Sequence, residues 1–281
     1  MRAFRVLADD LCFPECPRWH RETLYVSDMH GGTIWAFAPD GTRERVADVA
    51  ARPAGLGFLP DGRMLVVSML DRNLLRFDPR GPVVHADLSP FASFHVNDMV
   101  VDASGNAYVG NFGFDYEAGE RPRPTRLVRV APDGSAHPVG DELLFPNGCV
   151  ITPDARTLIV AETFARCLTA FRIDTGGDLV ERRVWADLGP QVFPDGICLD
   201  AEGCVWVANA LGGFLRVAEG GEVRDRIDLD DGYQAFACML GGPERRTLFL
   251  CEARGLRRAP LPAGSGRLRA VEVDVPGAGW P

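Results

Sequence analysis

Four oxygen-bearing side chains recur at one phase of a repeating sequence: Glu15, Asn97, Asn147 and Asp195. Each stands about ten residues upstream of an apolar anchor that opens a short β-rich run. The anchors, one per repeat, are Leu24, Leu65, Ala107, Leu158, Val205 and Leu248. The two other repeats carry small residues at the same phase, Ala54 and Ala237. If the six positions converge, two carboxylates and two amides share one small volume. Like charges so placed either raise the pKa of one acid or draw in a cation. Donors that are all oxygen suit a hard divalent ion, and four protein ligands leave room for water or substrate.

The elements that must position these residues follow from the repeat. The anchors recur every roughly 40 to 50 residues with several short strands per period, as in the blades of a β-propeller. Runs such as MLVVS, TLIVAE and VWVANA are β-rich and bounded by turns, among them Pro39-Asp40-Gly41, Pro60-Asp61-Gly62 and Pro132-Asp133-Gly134. No stretch sustains a helical apolar period. The sequence therefore predicts an all-β fold, a six-bladed β-propeller of four-stranded antiparallel blades around a central channel, with residues 1–281 as a single domain. The innermost strand of each blade lines the channel, so equivalent positions form a ring at one end. Residues 113–125 (GFDYEAGERPRPT) are an insertion in the third repeat, placed to act as a rim or lid. Both chain ends, Arg2–Ala8 and Leu268–Val275, read as strands, and either can complete a blade with the other and remove exposed edges.

Phase also separates ring residues from turns. Asp195 lies in Pro-Asp-Gly, but the turn copies stand only two or three residues before a strand. The hairpin position of that repeat is taken by Ala201-Glu202-Gly203. Asn147, in Asn-Gly, is separated from a turn by the same argument. His95 lies two residues before Asn97, so strand alternation points it to the same side. There it could contact substrate or shuttle a proton, or serve as a hydrogen-bonded structural residue. Phe145 and Phe193 hold the same offset from Asn147 and Asp195, and Phe112 stands at the insertion. Together they predict an apolar substrate wall. Cys16 alternates away from Glu15 and packs behind it. The remaining histidines have no metal-ligand spacing, and neither a Gly-x-Ser-x-Gly elbow nor a P-loop is present.

Composition excludes other classes. A net charge of −9 argues against nucleic acid. No run reaches the roughly 18 apolar residues of a membrane helix. Arg2 and Arg5 are followed by Asp9 and Asp10 before any apolar segment forms, unlike a signal peptide. A cytoplasmic protein without a membrane partner is the expectation. The eight cysteines sit mostly in apolar strand sequence with no Cys-x-x-Cys pair, which points to free buried thiols rather than disulfides or thiolate-bound zinc.

The stretches ECPRWH (15–20), NDMVVDASGNAYVGN (97–111), PNGCVITPDARTLIVAET (146–163) and PDGICLDAEGCVWVANA (194–210) resemble, in this order, the senescence-marker-protein (regucalcin), gluconolactonase and luciferin-regenerating-enzyme family. The resemblance covers essentially the whole chain. It implies a six-bladed propeller with one catalytic divalent cation in the channel. The metal ligands would be Glu15, Asn147 and Asp195, and Asn97 would bind substrate or the outer shell of the metal. Related phosphotriesterase propellers use a similar set around calcium. Two departures stand out: Glu15-Cys16-Pro17 replaces the usual Glu-Gly-Pro, and His95 replaces an arginine common in sugar lactonases. The expected function is metal-dependent hydrolysis of a lactone, with Asp195 as general base and Asn97 supporting the oxyanion. His95, Asn97, Phe112, Phe145 and Phe193 would contact substrate. Calcium is the first candidate, with magnesium, manganese, zinc or iron as alternatives. The expected partner is a small lactone or ester, and the expected state a monomer or small homo-oligomer. Two other readings stay open: phosphotriester or aryl-ester hydrolysis at the same centre, and a non-catalytic calcium- or ligand-binding propeller.

Overall fold

The computed structural model describes residues 2–229, 232–255 and 260–279. After a first strand, β1 (Phe4–Leu11), the chain lays down six sheets in turn. Blade one is β2 (Pro14–His20), β3 (Thr23–Asp28), β4 (Thr33–Phe37) and β5 (Arg43–Asp48). Blade two is β6 (Pro53–Phe58), β7 (Met64–Ser68), β8 (Asn73–Asp78) and β9 (Gly81–Asp87). Blade three is β10 (Val96–Val101), β11 (Ala107–Asn111), β12 (Thr125–Val130) and β13 (Ala136–Leu143). Blade four is β14 (Pro146–Ile151), β15 (Thr157–Glu162), β16 (Cys167–Ile173) and β17 (Leu179–Asp187). Blade five is β18 (Pro194–Leu199), β19 (Val205–Asn209), β20 (Phe214–Val217) and β21 (Val223–Ile227). Blade six takes β22 (Gln234–Gly241), β23 (Thr247–Ala253) and β24 (Gly266–Glu272) from the end of the chain. Its outermost strand is β1, paired from Phe4↔Val271 to Leu11↔Gly266. The fold is a six-bladed β-propeller of antiparallel four-stranded blades, closed by the N-terminal strand. Among the described residues no helix is long and apolar enough to cross a membrane.

The six anchors each lie on the second strand of their blade and are fully buried. They face the seams between sheets, where the core resides. Ile34 and Val49 of blade one pack with Leu56, Met64 and Val66 of blade two. Tyr108 and Leu127 of blade three meet Leu158 and Phe171 of blade four. Trp206 and Phe214 of blade five join Cys238 and Leu250 of blade six and Leu24 and Phe37 of blade one. Outer strands are exposed; β5 shows most of its charged run to solvent. The Pro-Asp-Gly turns work as their residue types require. Asp40, Asp61 and Asp133 accept the backbone N–H two residues on, and the glycines take φ of 88–89°. All eight cysteines are free thiols.

Where the inner strands enter the channel, the ladder of every blade is broken at the same place. Register shifts fall between Glu15 and Arg18, Pro53 and Leu56, Val96 and Met99, Pro146 and Cys149, Pro194 and Ile197, and Ala235 and Ala237. A bulge bends a strand and re-aims its side chains. It also lets neighbouring inner strands come very close. A Cβ on Gly148 would lie 2.6 Å from the Ile197 nitrogen, one on Gly196 2.6 Å from the Ala237 Cα, and one on Gly55 2.7 Å from the Met99 nitrogen. At the far end the chain's last residues cross the inner strands of blades five and six. Ala201 N–H donates to Pro276, and Ala278 N–H to Leu199.

This close approach gives a direct test. Gly148→Ala should destabilise the protein by about 1–3 kcal/mol, since neither strand can retreat without opening a seam. The measurement is chemical denaturation. An unchanged unfolding midpoint would contradict the packing described.

Candidate active site

The ladder break carries the oxygen ring. Glu15, Ala54, Asn97, Asn147 and Asp195 are each the second residue of their inner strand; in β22 the residue at the matching break, and in the cavity, is Phe236, one before the Ala237 expected from the repeat. Glu15, Asn97, Asn147 and Asp195 line one cavity of about 240 Å³. A hydrogen-bond chain orients the two amides. Asn97 Nδ2 donates to Asn147 Oδ1 at 3.1 Å, Asn147 Nδ2 to Thr163 Oγ1 at 3.2 Å, and Thr163 Oγ1 to the Pro194 carbonyl at 2.7 Å. Asn147 Oδ1 keeps its second lone pair, and Asn97 keeps one N–H. Glu15 Oε2 accepts the Cys16 N–H at 3.1 Å.

Both carboxylates are pushed well above the usual carboxylate range. For Glu15 the cause is burial first, then the charges of Asp195 and Asp98. For Asp195 it is burial, then Asp98, opposed by the amide of Asn147. The nearby cation Arg18 offsets this at Glu15 only as the smallest of the causes and has no part in the shift of Asp195. Arg18, buried, gives one N–H to Asp98 Oδ1 at 2.8 Å, one to the Pro17 carbonyl at 2.9 Å and one to the Met99 carbonyl. Arg18 and Asp98 thus form a closed ion pair linking blades one and three. The ring above it keeps two uncompensated acids.

This donor set fits a hard divalent cation: two carboxylates in need of positive charge, joined by amide oxygens already fixed in orientation. Softer ligation finds no support. Burial drives the thiols of Cys16 and Cys149 well above their ordinary pKa, so they stay protonated. Among the described residues no group of three His, Cys, Asp or Glu side chains is placed to hold a metal ion, so the amide oxygens are needed to complete any site.

A second tier stands two residues before the ring positions of the first five blades: Phe13, Arg52, His95, Phe145 and Phe193. The first four line the cavity. Phe145 and Arg52 do so from left-handed backbone, with φ of 61° and 62°. Phe193 does not line it, contrary to the wall expected from alternation. Its N–H is held by Asn209 Oδ1 at 2.9 Å, and the Arg166 guanidinium lies over its ring at 4.7 Å, which keeps the ring outside. Phe164 takes its place in the wall, edge-on to Phe145 at 5.1 Å. Phe112 lines the cavity as expected, stacked on Phe145 at 4.4 Å. From the insertion, Tyr116 and Glu117 reach the cavity, whereas Asp115 and Arg121 do not. Glu117 Oε1 lies 3.2 Å from Arg52 Nη1 and 3.7 Å from His95 Nε2. Burial lowers the pKa of His95, so the imidazole is neutral near neutral pH. Its Nε2 has no hydrogen-bond partner among the described residues.

Several of these residues escape a reading of the repeat. Phe13 and Arg52 could have been found by the offset that finds His95 and Phe145. Thr163, Phe164 and Glu117 lie on connections, which carry no period. The pairing of Arg18 with Asp98 joins different blades, and no local signal announces it.

Comparison with known proteins agrees with the geometry. The model of the SMP-30/Gluconolactonase/LRE-like region matches residues 13–254. A 6-deoxy-6-sulfogluconolactonase from Pseudomonas putida is 26% identical over 281 residues, covering 95% of this chain and 93% of that protein. Pentonolactonase XacC of Haloferax volcanii is 26% identical over 266 residues, covering 91% of this chain and 86% of its own. The crystal structure of a calcium-binding protein, regucalcin, from Agrobacterium tumefaciens has the same fold. The TM-score is 0.80 at 21% identity, over 98% of this chain and 95% of that one. The matched region runs from just before the ring residue of blade one to just past β23, the second-last strand of the sequence, and the chain belongs to the SMP-30/gluconolactonase/LRE-like family.

Proposed function

We propose that the chain is a divalent-cation-dependent lactone hydrolase. The observation that carries this reading is the ring of two charge-starved carboxylates and two oriented amides at the floor of an apolar-walled cavity. That two relatives are named as lactonases supports it at the level of the reaction class. Glu15, Asn147 and Asp195 would hold the cation, and calcium suits their all-oxygen character best. Such an ion polarises an ester carbonyl and makes water a better proton donor.

The chain's own residues supply the rest. Asp195 accepts the proton of the attacking water. Asn97, fixed through Asn147, directs its remaining N–H at the carbonyl oxygen as that atom gains charge. The aromatic wall excludes competing water and accepts an apolar substrate body. The same wall admits an aryl ester, so the assay panel includes one.

Two outcomes test this. Asp195→Ala should lower kcat/KM on the best lactone by about 10²–10⁴-fold and weaken divalent-cation binding by calorimetry. Full retained activity would remove Asp195 from the reaction, while cation binding without turnover of any lactone or ester would identify a non-catalytic binder. On specificity, an aromatic or alkyl lactone should be turned over more efficiently than gluconolactone. The aromatic wall of Phe112, Phe145 and Phe164 offers the hydroxyls of gluconolactone few partners. His95→Arg should move that ratio toward the sugar lactone by roughly tenfold through added hydrogen bonds. A wild-type preference for the sugar lactone, unmoved by the substitution, would refute the argument from the wall.

A further inference from the structure

Arg52 has no part in the hydrolysis just described, yet it is the one arginine among the described residues that lines the cavity. Its setting is not that of a solvated surface charge. The side chain is 21% exposed and stands among Phe13, Met69 and Phe112 in the wall. Its backbone holds a left-handed φ of 62°, uncommon for a long side chain, and its carbonyl is locked by the Met69 N–H at 2.9 Å. A cation held in an apolar wall requires an anionic partner. The partner present is Glu117, which touches it through a single oxygen at 3.2 Å and is itself 55% exposed. Among the described residues Glu117 is the only side chain bonded to the Arg52 guanidinium, and the planar N–H fork matches a carboxylate in two-point geometry. An ion pair with one member largely in water contributes little to stability, so exchanging Glu117 for another carboxylate costs little. Beside it, His95 Nε2 lies 3.7 Å from the same Glu117 Oε1, beyond a normal hydrogen bond, and offers a further contact once that carboxylate leaves.

We propose that Arg52 is an anion subsite and that the substrate is a lactone with an apolar body bearing a carboxylate, which displaces Glu117 from Arg52 on binding. This rests on the lactone-hydrolase reading of the same cavity. The lactone carbonyl lies at the floor, by Asn97 and Asp195. The body lies along Phe112 and Phe145, and the carboxylate pairs with Arg52. Hydrolysis adds water across the acyl C–O bond of the ring, giving one new carboxylic acid and one hydroxyl. The product is therefore a hydroxy diacid.

The test uses two lactones identical except that one carries a carboxylate and the other a carboxamide. Steady-state kinetics and calorimetric binding of both are measured with the cation-loaded wild type, Arg52→Gln, Arg52→Lys and Glu117→Gln. Wild type should favour the carboxylate by about tenfold or more, through KM. Arg52→Gln should erase that preference, and Arg52→Lys should restore part of it. Glu117→Gln should act in the opposite direction, lowering KM for the carboxylate lactone severalfold because the competing anion is gone. If Arg52 and Glu117 only tie the insertion down, both substitutions will impair the two substrates alike, and that result overturns the proposal. Equal handling of the two lactones by wild type overturns it as well. If neither lactone is hydrolysed, the reaction assignment falls and calorimetry decides the subsite. Carboxylate-selective binding lost in Arg52→Gln sustains the subsite; absent or Arg52-independent binding ends it.

Discussion

The inner strands of this propeller approach one another until no side chain fits between them, and the rest of the molecule is arranged around that contact. Gly55, Gly148 and Gly196 mark three of the meeting points, each with neighbouring backbone where a Cβ would stand. Strands this close cannot remain regular. Each breaks its ladder at the same step, and the residue at the break turns into the channel. The oxygen ring is thus a product of crowding. Rigid seams of buried aliphatic and aromatic residues outside it hold the positions fixed.

Crowding also sets the electrostatics. The channel collects Glu15, Asp98 and Asp195 with a single buried arginine, and Arg18 is fully engaged with Asp98. Breaking such a pair would leave an uncompensated buried charge, a costly defect. The pair therefore behaves as fixed foundation, and the unmet demand for positive charge is confined to Glu15 and Asp195. Above this polar floor the walls become aromatic, and among the described residues charge returns in Arg52 and Glu117. Floor, wall and charged pair thus present three chemically distinct surfaces to anything that enters.

How much of this could be read from the sequence depended on whether a feature repeats. The blade count was legible because every anchor, from Leu24 to Leu248, must fill the same seam between sheets. The ring was legible because Asn147 and Asp195 fall at a phase that no hairpin occupies. Strand alternation served less well. It assumes a regular ladder, and the ladder fails next to the ring, so it misplaced Phe193, whose ring Arg166 holds outside. Glu117 and Phe164 lie on connections whose paths follow from tertiary contacts. The role of the N-terminus as donor of the closing strand was undetermined for a similar reason: two strand-like ends fit a ring in either arrangement.

That closing strand carries a consequence for how the molecule comes into being. Phe4 pairs with Val271 and Leu11 with Gly266, so the first strand made must wait for the last blade before any of its ladder bonds can form. Contacts between the ends of a chain are the slowest to be reached. During synthesis β1 is an unpaired edge on which exposed Phe4 and Val6 are accompanied by the charges of Arg5, Asp9 and Asp10. Charge on an edge discourages pairing with a wrong partner. The three charges of this strand, unremarkable in the finished ring, thus guard its apolar positions in the nascent chain until the proper neighbour emerges.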